Sequence, residues 1–172
     1  MYKMPFVQKN FLYALLASIF LIDIAQTETP INPQLLLKNN KEHHLYSFEN
    51  NALTLYTIND DAQTTKVWEY RFLDSKEAQL VSLLYGDIKG NTEKEIIAVL
   101  HSFGQQGEVY LFSVVNNFPV GEPEILKIPT QKTGTTPTQA KLINWDRQKK
   151  QEILLACSSP ERELLVLDYY NN

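Results

Sequence analysis

Apolar and polar residues alternate at period two in three segments of the chain that align with one another. They are "NALTLYTIND" from Asn51, "GEVYLFSVVN" from Gly107 and "RELLVLDYYN" from Arg162, whose starts lie 56 and then 55 positions apart. Alternation of this kind is typical of a β-strand with one buried face. The regular interval indicates that the strand belongs to a repeated structural unit.

A second series of three segments precedes the first. Its members are "KEHHLYSFEN" from Lys41, "EKEIIAVLHS" from Glu93 and "KQEILLACSS" from Lys150. Short polar or glycine-containing connections join each member to its partner, and "FGQQG" and "SPER" are the clearest of them. Two strands separated by such a connection predict a β-hairpin.

Two further kinds of strand complete the unit. "AQLVSLLYGD" and "QAKLINWDRQ" precede the hairpins, and "TTKVWEYRFL" and "GEPEILKIPT" follow them. Four short strands at this spacing are typical of a β-propeller blade. We therefore predict an all-β domain over residues 28–172, an incomplete propeller of about two and a half to three four-stranded blades. The blades are expected at about 31–75, 76–130 and 138–172.

An incomplete propeller leaves sheet faces bare. Each blade needs neighbours on both of its faces, and closed propellers have about four to eight blades. Three outcomes are open: the chain is a fragment of a longer protein, it self-associates to complete the propeller, or its open faces are covered in another way.

The N-terminal 27 residues differ in character from the rest. Lys3 and Lys9 precede the apolar run "FLYALLASIFLI", which is shorter than the roughly 20 residues of a membrane span and is followed by Asp23. A basic stretch before a short apolar run predicts a secretory signal peptide over residues 1–27. The chain is then secreted, periplasmic or on the cell surface. An uncleaved membrane anchor and a buried amphipathic helix are the alternatives.

Charge and composition narrow the range of partners and chemistry. The formal net charge is −4 and no basic patch stands out, which argues against a nucleic-acid partner.

The cysteine and the histidines offer no catalytic or metal-binding pattern. Cys157, the only cysteine, lies in an apolar run and is predicted to be a small buried hydrophobe. His43 and His44 are adjacent in a predicted strand and therefore face opposite sides. No nucleophile with a base and no phosphate-binding loop is evident, so an enzyme is not predicted.

The stretch "YGDIKGNTEKEIIAVLHSFGQQGEVYLFSV" resembles an FG-GAP, or VCBS-like, repeat of the β-propellers of integrin α-subunit type. That family's loop has the pattern D-x-D-G-D-G-x-x-D and is followed by an apolar strand and a glycine-containing hairpin. The match covers 80–115 well and 140–170 more weakly. The resemblance implies an extracellular role in adhesion, carbohydrate recognition or scaffolding, and a calcium ion in the loop.

The resemblance assigns three calcium ligands in this sequence, namely Asp87, Asn91 and Glu95. Lys89 stands where a second acid is expected, and Thr92 where a glycine is expected. Calcium takes about six to eight oxygen ligands, and an ammonium group supplies none. A loop that no longer binds calcium is therefore the favoured interpretation, with Lys89 expected to pair with an acid of its own loop.

Candidate recognition residues are aromatic or lie in the second loop. Trp145 and Asp146 lie where the weaker copy of the loop is expected, and we predict them to be available for a protein or carbohydrate ligand. Trp68, Tyr70 and Phe72 line one face of a strand. They are expected to pack between two blades, and the alternative is a stacking platform for sugars.

The predicted function is that of an exported, non-enzymatic binding or scaffold module. Three alternatives remain at this point. The chain is an accessory part of an exported enzyme, a propeller of quinoprotein or other type in which the loop pattern is a coincidence, or a membrane-anchored assembly factor.

Overall fold

The computed structural model describes residues 34–38, 42–72, 78–102, 107–128, 136–145, 149–158 and 163–169. These residues form twelve strands in three antiparallel sheets, none of which closes on itself, and they include no helix. The predicted all-β class is confirmed, whereas the incomplete propeller of four-stranded blades stays a prediction. The predicted signal peptide, residues 1–27, lies outside the described residues. Among the residues described, no helix has the length and apolar character required to cross a membrane.

The strands follow one another along the chain within each sheet. The first sheet contains, in spatial order, β1 (Gln34–Lys38), β2 (His43–Glu49), β3 (Ala52–Ile58) and β4 (Thr64–Arg71). The second contains β5 (Ala78–Gly86), β6 (Glu95–Ser102) and β7 (Glu108–Val115), and β7 also pairs with β8 (Phe118–Pro119) and β9 (Glu124–Lys127). The third contains β10 (Thr136–Ile143), β11 (Glu152–Ser158) and β12 (Glu163–Leu167).

The predicted hairpins are observed. β2 pairs with β3, β6 with β7 and β11 with β12, each antiparallel. β1 and β8 were not expected from the sequence. β1 lies in a short apolar run without clear alternation, and β8 is only two residues long.

Asparagine pairs make two of the turns. Asn50 and Asn51 connect β2 to β3 with φ angles of 52° and 58°, and Asn116 and Asn117 connect β7 to β8 with 53° and 66°. Two consecutive positive φ angles are characteristic of a two-residue type I′ hairpin turn. Asparagine adopts this left-handed conformation more readily than other non-glycine residues, so the pairs define where these strands end.

The second sheet lies between the other two. In β6, Ile96, Ala98 and Leu100 belong to a core shared with the first sheet, while Ile97 and Val99 belong to a core shared with the third. All five are at most 3% exposed. Because side chains alternate across a strand, one apolar run supplies both faces of a sheet that is covered on both sides. We call these two cores the first interface and the second interface.

The aromatic stripe of β4 lies in the first interface. The ring centroids of Trp68 and Tyr70 are 5.6 Å and 5.2 Å from that of Phe112 on β7, and that of Phe72 is 4.8 Å from Tyr110. All three pairs are edge-to-face, an arrangement that aromatic quadrupoles favour. Packing between sheets is therefore confirmed for Trp68, Tyr70 and Phe72.

The β7–β8 turn also joins the first two sheets. The hydroxyl of Tyr46 donates to the backbone oxygen of Asn117, and the hydroxyl of Tyr85 donates to its Oδ1 at 2.8 Å. Next to them, the ring of His44 contacts that of Phe118 edge-on, with centroids 4.7 Å apart. Burial raises the pKa of Tyr46, so this phenol stays a neutral donor across the ordinary pH range.

The structure also decides the predicted burial of His43, His44 and Cys157. His44 is buried and His43 is exposed, as their adjacency in a strand requires. Cys157 is buried in the second interface, which confirms its assignment as a small core residue. Burial raises the pKa of its thiol, with a further contribution from Glu163.

Candidate functional site

The loop between β5 and β6 is held by its own side chains. The carboxylate of Asp87 accepts the N–H of Gly90 at 2.7 Å and that of Thr92 at 2.9 Å. Oδ1 of Asn91 accepts the N–H of Glu93 at 3.1 Å. Short polar side chains that accept nearby backbone N–H groups stabilise a tight turn without a metal ion.

Glu95 closes the loop from its C-terminal side. It begins β6, is 1% exposed, and its Oε2 accepts the N–H of Ile88, which is itself 2% exposed, at 3.1 Å. Burial raises the pKa of Glu95, while the Ile88 hydrogen bond and the charge of Lys89 act in the opposite direction. The carboxylate therefore satisfies a backbone donor that water does not reach.

Lys89 does not pair within its loop, so the expected contact with Asp87, Glu93 or Glu95 is wrong. Its Nζ lies 3.2 Å from Oε2 of Glu124 at the start of β9, and 5.6 Å from the centroid of the Tyr169 ring. The hydroxyl of Tyr169 donates to the same Glu124 oxygen at 3.0 Å. Asp87 and Glu95 already accept backbone N–H groups, whereas the Glu124 carboxylate and the Tyr169 ring offer a cation two favourable partners outside the loop.

The third sheet has a buried glutamate in the position that corresponds to Glu95. Glu152 begins β11, is 2% exposed, and its Oε2 accepts the N–H of Trp145 at 2.8 Å. The acceptor follows its donor by seven residues in both loops. Trp145 itself is 74% exposed, which confirms that this side chain is available at the surface. Asp146, the other predicted binding residue, lies outside the described residues.

The two loops contact each other. The backbone oxygen of Asp87 accepts the N–H of Gln151 at 2.7 Å. Lys150 packs beside Gly90, forms an ion pair with Asp168, and donates to the backbone oxygen of Tyr169 at 3.0 Å. We call this region the loop-end surface. It comprises loops 87–94 and 144–151, of which 146–148 are not described, together with their contacts Glu124, Asp168 and Tyr169.

Sequence reasoning located the loops but missed the contacts of Lys89 and Lys150. Glu124, Asp168 and Tyr169 carry no motif, and they lie 35 or more positions from Lys89 along the chain. The sequence contained only an indirect signal, namely that Lys89 stands in place of an acid and therefore needs a negatively charged partner. Which acid pairs with Lys89 depends on how β9 and the segment after β12 lie beside the loop.

The predicted calcium ligands have other contacts in this structure. Asp87 and Asn91 lie in the β5–β6 loop and Glu95 begins β6, and each of the three accepts a backbone N–H. Within the described ranges, no three His, Cys, Asp or Glu side chains form a group able to hold a metal ion. Calcium at these three residues stays a prediction, and the residues present at positions 89 and 92 do not favour it.

Replacing Thr92 by glycine is expected to stabilise the protein by up to about 1 kcal/mol. Thr92 has a φ of 69°, which costs a β-branched residue roughly 1–2 kcal/mol, partly offset by the greater chain entropy that glycine loses. Chemical denaturation measures the change. The matched control is Thr65→Gly in β4, an exposed strand position, where the substitution is expected to destabilise by about 0.5–1 kcal/mol. A loss of stability at both positions would contradict the argument.

Scans against protein-family models, curated proteins and solved structures found no match to this chain, so the FG-GAP resemblance rests on the sequence pattern of residues 80–115 and 140–170 alone.

Proposed function

We propose that this protein is an exported, non-enzymatic binding or scaffold module built of propeller-type blades. Its loop-end surface recognises a protein or a glycan. The observation that carries the proposal is Trp145, a large aromatic side chain that is 74% exposed although its own backbone N–H is held by the buried Glu152. An exposed aromatic on a fixed backbone presents contact area at a low entropic cost, which is typical of recognition surfaces.

The rest of the loop-end surface supports this function through its rigidity. The backbone contact between Asp87 and Gln151 joins the loops of the second and third sheets. The Lys89–Glu124 and Lys150–Asp168 pairs have side chains that are 14–41% exposed, so they are only partly accessible to solvent. Loops held on a rigid scaffold are where binding residues concentrate.

The test is binding of the full-length chain to an array of neutral and acidic oligosaccharides. Trp145→Ala is expected to lower affinity about tenfold or more for any sugar that wild type retains, since stacked aromatics dominate such contacts. The matched control is Leu36→Ala, which removes an apolar side chain 55% exposed on β1 of the first sheet. Equal affinity of wild type and Trp145→Ala would overturn the role of this surface. If wild type retains no sugar, the glycan half of the proposal fails and protein recognition remains.

A further inference from the structure

We propose that the outer edge of β12 binds an extended strand of another polypeptide, which completes the third sheet as its fourth strand. β12 (Glu163–Leu167) ends the third sheet, and among the described residues only β11 pairs with it. The strand that fits carries a large apolar residue opposite Leu164. This proposal goes beyond the binding function above and does not depend on it, because it concerns a sheet edge and not the loop-end surface.

The other two sheets have a fourth strand at the same edge. β4 pairs with β3 in the first sheet, and β9 pairs with β7 in the second, both antiparallel. β3, β7 and β12 are equivalent strands, because each is the second strand of its hairpin and their aligned segments start 56 and then 55 positions apart. In this alignment Leu53, Val109 and Leu164 occupy the same position. The outer edge of β12 is therefore the edge at which the protein twice places a further strand.

The two existing fourth strands indicate which side chain the incoming strand carries. Tyr70 of β4 lies opposite Leu53, and Leu126 of β9 lies opposite Val109. Tyr70 packs in the first interface and Leu126 in the second, so each contributes to the core between its own sheet and the next one. Since Leu164 is equivalent to Leu53 and Val109, a large apolar residue is expected opposite it. Such a residue covers Leu164, which is 72% exposed.

β12 lacks the features that protect an exposed edge. Its sequence, ELLVL, has no proline and no charged residue after the first position. Edge strands that stay unpaired commonly carry charged residues or proline, or are very short. β4, which ends the first sheet, carries Lys66, Glu69 and Arg71 joined by ion pairs, and β9 is only four residues long. An apolar edge such as that of β12 is typical of a strand that pairs with another chain.

The space beside β12 suits a single strand and not a second copy of the chain. β9 lies on the second-sheet side of this edge, because Leu126 packs in the second interface and Glu124 accepts the hydroxyl of Tyr169, two residues after β12, at 3.0 Å. Antiparallel pairing of β12 with β12 of a second copy relates the copies by a twofold axis perpendicular to the sheet, so both second sheets lie on the same side. Their β9 strands would then occupy the same space. A single strand adds only about 4.8 Å to the width of the sheet.

A synthetic peptide with the sequence of residues 64–72, TTKVWEYRF, is the probe, because β4 is the fourth strand of the first sheet. Fluorescence anisotropy of the labelled peptide measures its binding to the full-length chain. We expect saturable binding that Leu164→Lys weakens about fivefold or more, since a charge at this position disfavours pairing with an apolar residue. The matched control is Leu36→Lys on β1, an edge strand of the first sheet, where the leucine is 55% exposed. It should bind the peptide as wild type does, and thermal melts establish that both variants are folded.

Two N-methylated forms of the peptide test for backbone pairing. In an antiparallel pair, the N–H groups of alternate residues point to the same neighbouring strand. Methylating the backbone nitrogens of residues 67, 69 and 71 removes one set of donors, and methylating those of residues 66, 68 and 70 removes the other. One form is expected to lose binding and the other to keep most of it, because β12 pairs with only one edge of the peptide.

Three results would overturn the proposal. The first is a peptide that binds neither protein, or that binds wild type and Leu164→Lys equally. The second is equal binding of the two N-methylated forms, which would indicate an apolar contact without a backbone ladder. The third is self-association of wild type, measured by light scattering, that Leu164→Lys abolishes, because a second copy then occupies the edge.

Discussion

Replacing Phe112 by alanine is expected to lower the free energy of unfolding by about 3–5 kcal/mol. Phe112 is 1% exposed on β7, and its ring centroid lies 5.6 Å, 5.2 Å and 6.5 Å from those of Trp68, Tyr70 and Phe72. The substitution removes a large apolar side chain, leaves a cavity, and deletes three aromatic contacts at once. Domains are typically stable by about 5–15 kcal/mol, so the loss is a large part of the total.

Chemical denaturation followed by tryptophan fluorescence suits this measurement, because Trp68 contacts Phe112 edge-on. Val115→Ala is the control on the same strand. Val115 is 58% exposed, so its truncation is expected to change stability by no more than about 0.5 kcal/mol. A cost below about 1 kcal/mol for Phe112→Ala would mean that the first and second sheets do not pack as described.

Replacing Glu95 by alanine is expected to destabilise the protein by about 1–3 kcal/mol. The substitution leaves the N–H of Ile88 without its acceptor, in a position that is 2% exposed. Glu152→Ala removes the matching acceptor of Trp145, and its cost is expected to be smaller. Trp145 is 74% exposed, so water replaces the lost acceptor more easily there.

Glu95→Gln is the matched control, because the amide has nearly the same shape and its oxygen still accepts the Ile88 N–H. The Glu95→Gln substitution also removes the titratable carboxyl group of this side chain. Burial raises the pKa of Glu95 above its ordinary value of 4.5, so the folded state binds this proton more tightly than the unfolded state. Wild-type stability therefore falls as pH rises from about 4.5 through the raised pKa.

Denaturation curves of wild type and Glu95→Gln, from about pH 4 to about pH 8, measure this effect. The free energy of unfolding of wild type relative to the glutamine variant is expected to decrease over that range. A difference that is constant with pH would show that Glu95 has its ordinary pKa in the folded protein. A Glu95→Ala variant as stable as Glu95→Gln would contradict the role of the carboxylate as acceptor.

The sequence by itself determined the class of the fold and the position of most strands. Period-two alternation in segments such as "NALTLYTIND" and "GEVYLFSVVN" is a local property, because successive side chains of a strand point to opposite faces. The uninterrupted apolar run from Ile96 to Leu100 is also a local property of the sequence, and it suits a strand covered on both faces, as the structure shows this strand to be. The packing of Trp68, Tyr70 and Phe72 followed from the same alternation.

Only the tertiary structure decided the chemistry of the loop and the contacts between distant segments. Asp87 and Glu95 could be recognised as oxygen donors, but the backbone N–H groups that they accept depend on the path of the loop in space. Lys89 meets Glu124 and Tyr169 because β9 and the segment after β12 lie beside its loop. Propensity and alternation act between near neighbours in the chain, whereas ion pairs and ring contacts act between groups that folding brings together.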